Sequence, residues 1–247
     1  MQISKSTFLH PDQAIMPVLP PVYPITDKAL AGKSSHFAIL RELARGGAQF
    51  VQIRDKTTPP REFLKDLIKC AEFADRENIT LIVNDRCDLA ILSGASGVHL
   101  GQDDLPPEAA RTLAGTSAVI GLSTHSLAQV KKSNNLPIDY IGFGPVFTTT
   151  TRKDPSPRTG LRLLAEACAI SRVPVVAIGG ISREQIRAIL RAGAASAAVI
   201  SSLMSAGNIA REMELFLKTA RETQLTPKRK DRPPQPNPSR RRNTRET

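Results

Sequence analysis

Gln52, Arg54 and Lys56 occupy alternate positions of the stretch FVQIRDK, and Val51 and Ile53, on the other register, are apolar. In an extended chain, residues two apart share a face. The stretch therefore reads as a strand with one apolar face and one face that presents an amide, a guanidinium and an ammonium. Such donors, gathered at a strand end, are suited to hold anionic oxygens. VNDRCDLA and GVHLGQDDLPP each carry an aspartate just beyond an apolar run, Asp85 and Asp104. A few hard carboxylate oxygens beside an anion are the usual protein share of a Mg²⁺ site, with the ligand completing the octahedron. Each aspartate could instead cap a helix, because helical segments begin near Arg86 and Pro106. Asp103 could replace Asp104 on sequence grounds, and Asn84 is placed for a neutral hydrogen bond to a ligand.

These residues need elements to position them. Apolar or β-branched runs start at Val22, Ala48, Thr80, Gly97, Ala118, Asp139, Pro174 and Ser196. Between them lie segments of helical spacing. In PPREFLKDLIKCAEFADREN, Phe63, Leu67, Cys70, Ala71 and Ala74 form one stripe. In SREQIRAILRAG, Ser182 is an N-cap with Gln185 three residues on, and Gly193 is the stop. A last helix spans about 208–223. Strands alternating with helices over residues 21–225 give the count of a single-domain α/β TIM (β/α)₈ barrel. A doubly wound open sheet competes, but the Gly-rich first turn it often has is absent after VYPITD. In a barrel Val51 and Ile53 face the helices, while Gln52, Arg54 and Lys56 converge on the C-terminal mouth.

The far strands add anion chemistry. AIGGIS places Gly179 and Gly180 before a helix, and AAVISSL ends the eighth strand before a short turn; loops after strands seven and eight are the usual phosphate site of this barrel. Strand six runs into GPVFTTTTRKDPSPRTGL, a long loop with hydroxyls, Arg152 and Lys153 that reads as a lid over bound phosphates. His125, at the end of strand five beside Ser123, is placed to touch a ligand, whereas His99 reads as structural.

Composition narrows the classes. The chain has 247 residues, 40% hydrophobic, and no apolar run of the length a spanning helix needs. Residues 1–20, broken by Asp12 and prolines, read as a loose leader and a poor signal peptide. Cys70, Cys87 and Cys168 are odd in number and widely spaced, which suits core thiols in a reducing cytoplasm. Of the net charge of +11, residues 227–247 carry +6, from eight Lys or Arg against Asp231 and Glu246. A Pro-rich, self-repelling tail from 226 to 247 is expected to be disordered. It could touch nucleic acid or a membrane surface weakly through its charge, but 4% aromatics offer no base-stacking platform.

The motifs QIRDK, VNDRCDLA, GVHLGQDDLP, IGLSTHS, DYIGFGPVF, AIGGIS and AAVISS, in this order over 22–217, resemble the thiamine-phosphate synthase family, TIM-barrel transferases. The resemblance implies a cytoplasmic enzyme that joins 4-amino-2-methyl-5-hydroxymethylpyrimidine diphosphate to a thiazole phosphate, carboxylated or not, releasing pyrophosphate and forming thiamine monophosphate. It implies that Gln52, Ile53, Arg54, Asp55, Lys56, Asn84, Ser123 and Arg152 bind the pyrimidine diphosphate. It assigns Mg²⁺ to Asp85 and Asp104, the thiazole phosphate to Thr149, Thr151, Gly180, Ile200 and Ser201, and the charge work to Arg54, Lys56, Arg152 and Lys153. The family's loop reads Pro-Thr-x-Thr-Lys, whereas here Thr148 replaces the proline and Arg152, followed by Lys153, replaces the lysine; a guanidinium fork meets a diphosphate differently from an ammonium. Self-association is compatible with these features.

The implied chemistry needs no strong protein base. The pyrimidine amino group pushes electrons toward the methylene carbon, the bond to diphosphate breaks, and the thiazole nitrogen captures the cation; fixed positive charge steadies the departing diphosphate. Two rivals are a thiazole tautomerase of the same barrel, in which the equivalent of His125 moves protons but both acidic metal positions are generally missing, and a nucleic-acid-associated protein acting through its tail.

Overall fold

The computed structural model describes residues 18–148 and 158–225. Eight strands lie in it, β1 (Val22–Pro24), β2 (Phe50–Ile53), β3 (Thr80–Asn84), β4 (Gly97–Leu100), β5 (Val119–Thr124), β6 (Tyr140–Phe143), β7 (Val175–Ile178) and β8 (Ser196–Val199). All pair in parallel in the order β1-β8-β7-β6-β5-β4-β3-β2. A parallel bridge between Ile25 and Gln52 joins the two ends, reinforced by the Thr26 N–H donating to the Gln52 carbonyl at 2.9 Å. The sheet thus closes on itself as the expected (β/α)₈ barrel.

Each strand is followed by a helix that covers it: α2 (His36–Arg45), α3 (Pro60–Arg76), α4 (Cys87–Ser93), α5 (Pro107–Ala114), α6 (Leu127–Ser133), α7 (Gly160–Ile170), α8 (Ile186–Arg191) and α10 (Ile209–Leu225). The short turn expected after β8 is the one-turn helix α9 (Ser201–Met204), whereas the one-turn helix α1 (Lys28–Ala31) after β1 was not expected. α3 buries the stripe read from its spacing, Phe63, Leu67, Cys70, Ala71 and Ala74, and burial of a side chain like Leu67 contributes about 2 kcal/mol. Ser182 and Gln185 make a capping box, the Ser182 N–H donating to Gln185 Oε1 at 2.7 Å, and a 3₁₀ turn (Arg183–Gln185) leads into α8.

The pleat sorts side chains into two cores. Outward residues such as Val51, Ile53, Val98, Leu100, Ile141 and Val199 pack under the helices. Inward residues Tyr23, Ile25, Phe50, Ile82, Tyr140, Val176 and Ala198 fill the barrel below its mouth. Cys70 and Cys87 are buried, Cys168 is partly buried, and all three are free thiols. Among the described residues, no helix is long and apolar enough to cross a membrane. The expected leader and tail lie outside the described residues, apart from Val18–Pro20 of the former.

Candidate active site at the C-terminal mouth

A cavity of about 580 Å³ opens at the C-terminal ends of the strands. Gln52, Arg54, Lys56, Asn84, Asp85 and Asp104 line one side of it, and Gly180, Ile200 and Ser201 line the other, with Ser123 and His125 between. With Ile25, Gly144 and Pro145 also in the lining, residues from all eight strand ends or their loops meet in one volume, although they span 25 to 201 in the chain.

The cationic side is built differently from the strand face read in FVQIRDK. β2 ends at Ile53, so only Gln52 is a strand residue; it is 2% exposed and points into the barrel. Arg54 and Lys56 belong to the following loop. The Arg54 N–H leaves the ladder to donate to Thr26 Oγ1 at 3.2 Å, and its guanidinium lies 3.8 Å from Asp27. The Lys56 ammonium pairs with Asp85 at 3.3 Å.

Two residues implied to bind the pyrimidine diphosphate do not present their side chains to the cavity. Ile53 is fully buried beneath the helices, as the alternation demands. Asp55 turns away from the mouth, with its side chain 2% exposed. It receives hydrogen bonds from the Thr57 and Thr58 N–H groups at 2.8 and 2.9 Å, pairs with Lys28 at 2.8 Å and meets His36 Nε2 at 3.0 Å. Despite a desolvation that works the other way, the Lys28 ammonium and the loop N–H groups hold its carboxyl far below the usual carboxylate range. Asp55 braces the loop that carries Arg54 and Lys56 from behind.

The acidic pair is not a pair of caps. The residue preceding α4 is Arg86 and the one preceding α5 is Pro106, and neither helix start receives a side-chain bond. Asp85 adopts a left-handed φ of 63°, held by its N–H donating to the His99 carbonyl at 2.8 Å. A non-glycine residue in that region is strained, and such strain is concentrated at functional sites. Asp104 accepts from the Gly101 N–H at 2.6 Å. Burial raises its pKa; the Gly101 bond opposes this, the Asp85 carboxylate within hydrogen-bonding reach raises it further, and Lys56 lowers it. Two carboxylates pressed together at a half-buried rim are what a divalent cation relieves. Among the described residues no group of three or more His, Cys, Asp or Glu is arranged around a metal, so the donor set fits a cation that takes most of its ligands from the substrate. Asp103 also lines the cavity, but it is Asp104 that meets Asp85.

On the opposite side, Gly180 has φ 61° and packs so closely on the Thr148 backbone that any Cβ would collide with that carbonyl. Only glycine allows the loops after β6 and β7 to approach there. Ile200 and Ser201, at the start of α9, complete this side. The His125 Nδ1–H donates to the Gly144 carbonyl at 2.7 Å, because a carbonyl can only accept. Thr149, Thr151, Arg152 and Lys153 fall outside the described residues, so the expected lid is not placed.

Sequence reasoning missed Tyr23, Tyr140, Gln102 and Gln129 and placed His99 only as structural. Gln102 Nε2 donates to the Ser123 carbonyl at 2.5 Å, and Gln129 caps the His125 N–H at 2.6 Å. His99 lines the cavity and bonds Ser123 Oγ at 2.9 Å. The period-two pattern would have put His99 and both tyrosines on the inward face, but nothing local says that they touch.

Comparison with known proteins agrees with this construction. The family model described as thiamine monophosphate synthase matches residues 22–203, which contain every strand. A thiamine-phosphate synthase of Syntrophomonas wolfei is 41% identical over 192 residues, covering 77% of this chain and 91% of the relative. Thiamine-phosphate synthase 1 of Aquifex aeolicus is 37% identical over 202 residues, covering 82% and 94%. The solved thiamine phosphate pyrophosphorylase of Pyrococcus furiosus superposes with a TM-score of 0.75 at 33% identity, covering 82% of this chain and 96% of that one. A match that runs through all eight strands and spans the stretch of chain from which the mouth is built leaves one conclusion, that this chain belongs to the thiamine monophosphate synthase family.

Proposed function

We propose that the chain is a transferase that couples 4-amino-2-methyl-5-hydroxymethylpyrimidine diphosphate to 4-methyl-5-(2-phosphoethyl)thiazole, or its carboxylated form, releasing pyrophosphate and forming thiamine monophosphate. The observation that carries this reading is the meeting of Asp85 and Asp104 beside Lys56 and Arg54 on one side of a cavity whose other side is the Gly180–Ser201 cradle. One cavity thereby offers separate places for two anionic substrates.

In this reading Arg54 and Lys56 hold the diphosphate oxygens, while Asn84 and Ser123 hydrogen-bond the pyrimidine side. Asp85 and Asp104 hold Mg²⁺, which when bound supplies fixed positive charge for the diphosphate. The electron pair of the breaking C–O bond leaves with the diphosphate oxygen, and the thiazole nitrogen donates its lone pair to the methylene carbon. The Gly179–Gly180 turn and the start of α9 orient the thiazole through its phosphate, so that the nitrogen faces the carbon. Thr149, Thr151, Arg152 and Lys153 are assigned to phosphate contact by the family resemblance alone. A cytoplasmic location and an assembly of like chains are part of the same reading.

A thiazole tautomerase fits less well, because Asp85 and Asp104 would then have no task. The test supplies purified protein with both substrates and Mg²⁺ and measures pyrophosphate and thiamine monophosphate. Product is expected from the parent, with losses of at least about 100-fold in Arg54→Ala and Asp85→Ala at unchanged thermal midpoint. Full activity in Asp85→Ala removes the metal assignment, and no product from the parent removes the function.

A further inference from the structure

Beneath the cavity a chain of polar atoms crosses the otherwise apolar barrel interior. Gln52 Nε2 donates to the Tyr23 hydroxyl at 2.9 Å. The Tyr23 and Tyr140 hydroxyls are 2.8 Å apart, Tyr140 Oη is 3.0 Å from His99 Nδ1, and His99 Nε2 is 2.9 Å from Ser123 Oγ. The first four residues are 7% exposed or less, whereas Ser123 opens onto the cavity. Space is cleared for the chain: at Gly121, the inward neighbour on β5, a Cβ would collide with the Tyr140 phenol and the His99 ring.

The direction of the chain follows from its protons. An amide nitrogen only donates, so Tyr23 Oη is an acceptor toward Gln52. A phenol has one proton, and Tyr23 directs it to Tyr140 Oη. Tyr140 in turn donates to His99 Nδ1, which must be unprotonated, so the ring proton sits on Nε2 and is donated to Ser123 Oγ. The Ser123 proton is then left for the cavity. With the Gln52 nitrogen turned to Tyr23, the reverse polarity would leave the Tyr23 proton among Phe50, Ile82 and Val176 without an acceptor, an arrangement that buried groups avoid. Burial raises both phenols, so that each keeps the single proton this scheme needs.

We infer that Tyr23, Tyr140 and His99 form a polarity relay that pins the His99 Nε2–H tautomer and thereby sets Ser123 as a hydrogen-bond donor to the ligand. His99 is a positioning residue, because it acts on the ligand through Ser123. A donor at that place selects an acceptor, and on the pyrimidine diphosphate of the proposed reaction, on which this half of the inference rests, the matching group is an aromatic ring nitrogen rather than the amino group. The tautomer itself does not depend on that reading.

The test begins with ring-nitrogen NMR of the ¹⁵N-histidine full chain near neutral pH, with the His99→Gln variant identifying the signal. The expected result is a proton on Nε2 and none on Nδ1 in the parent. Tyr140→Phe should release the ring to the other tautomer; Tyr23→Phe, which removes an equally buried hydroxyl but leaves the Tyr140 proton in place, should keep the Nε2–H signature. In the coupled assay, Tyr140→Phe should raise KM for the pyrimidine diphosphate about tenfold and leave KM for the thiazole phosphate within about twofold. A proton on Nδ1 in the parent overturns the relay, and so does a Tyr140→Phe effect equal for both substrates, which marks a merely structural role. If the parent forms no product, the proposed reaction falls while the NMR result still decides the relay.

Discussion

Asp85 is the residue at which local preference gives way to function. Its φ of 63° costs energy that a glycine or asparagine would lower, and the bond to the His99 carbonyl holds it there, with its carboxylate at the rim. His99 thus serves the site through its backbone as well as its ring. The same burial has a consequence for acid stability. The His99 pKa falls from 6.5 to about 4 when the chain folds, so as pH drops the unfolded chain takes up a proton first. The stability associated with its neutral ring is complete above about 6.5 and is lost progressively toward 4, by up to about 3 kcal/mol. His36, which burial lowers as well, adds in the same direction. Urea midpoints at pH 7.5 and 4.5 are expected to diverge in the parent and to diverge less in His99→Gln; equal divergence would show that His99 is not the group responsible. The residue types of the acid pair were legible in the sequence, whereas the strained backbone was not, because Asp85 is preceded by an ordinary strand and has no turn glycine to mark it.

At the scale of an element, the loop between β2 and α3 shows how a motif can be read correctly in place and wrongly in orientation. QIRDK looks like one alternating surface, yet the strand stops at Ile53 and Asp55 swings to the helix side. There it ties the loop to α1 through Lys28 and to α2 through His36, while His36 Nδ1 also meets Thr26 Oγ1 at 2.8 Å, the atom that accepts the Arg54 N–H. The network positions the two cations without touching a ligand. Asp55→Ala is expected to destabilise the chain by about 3 kcal/mol, because it leaves Lys28 and His36 without their buried partner. The residual enzyme should show a raised KM for the pyrimidine diphosphate through the loosened Arg54 and Lys56. Denaturant titration with steady-state kinetics checks both, and an unchanged KM would mean that the loop keeps its shape unaided. The helices were legible for the opposite reason: the α3 stripe and the Ser182–Gln185 box are local patterns that tertiary contacts only confirm.

For the whole molecule, every described residue that lines the cavity belongs to the closed barrel and its loops. Removal of residues 227–247 takes away +6 of the net charge of +11 and leaves in place every described residue that lines the cavity. The truncated chain is expected to keep kcat and both KM values within about twofold, and a steep, salt-dependent loss of activity would instead give the tail a part in function. The count and direction of the strands, the apolar stripes that cover them, and the kinds of side chain that end at the mouth could all be read along the chain. These follow from periods of two and 3.6, which are properties of the local backbone. That β2 stops short of its cations, that Asp85 and Asp104 share one point, and that Tyr23 meets Tyr140 across 117 residues of chain emerge only from the folded barrel. Those distances are set by the closure and stagger of the barrel, and no stretch of sequence short enough to have a period contains them.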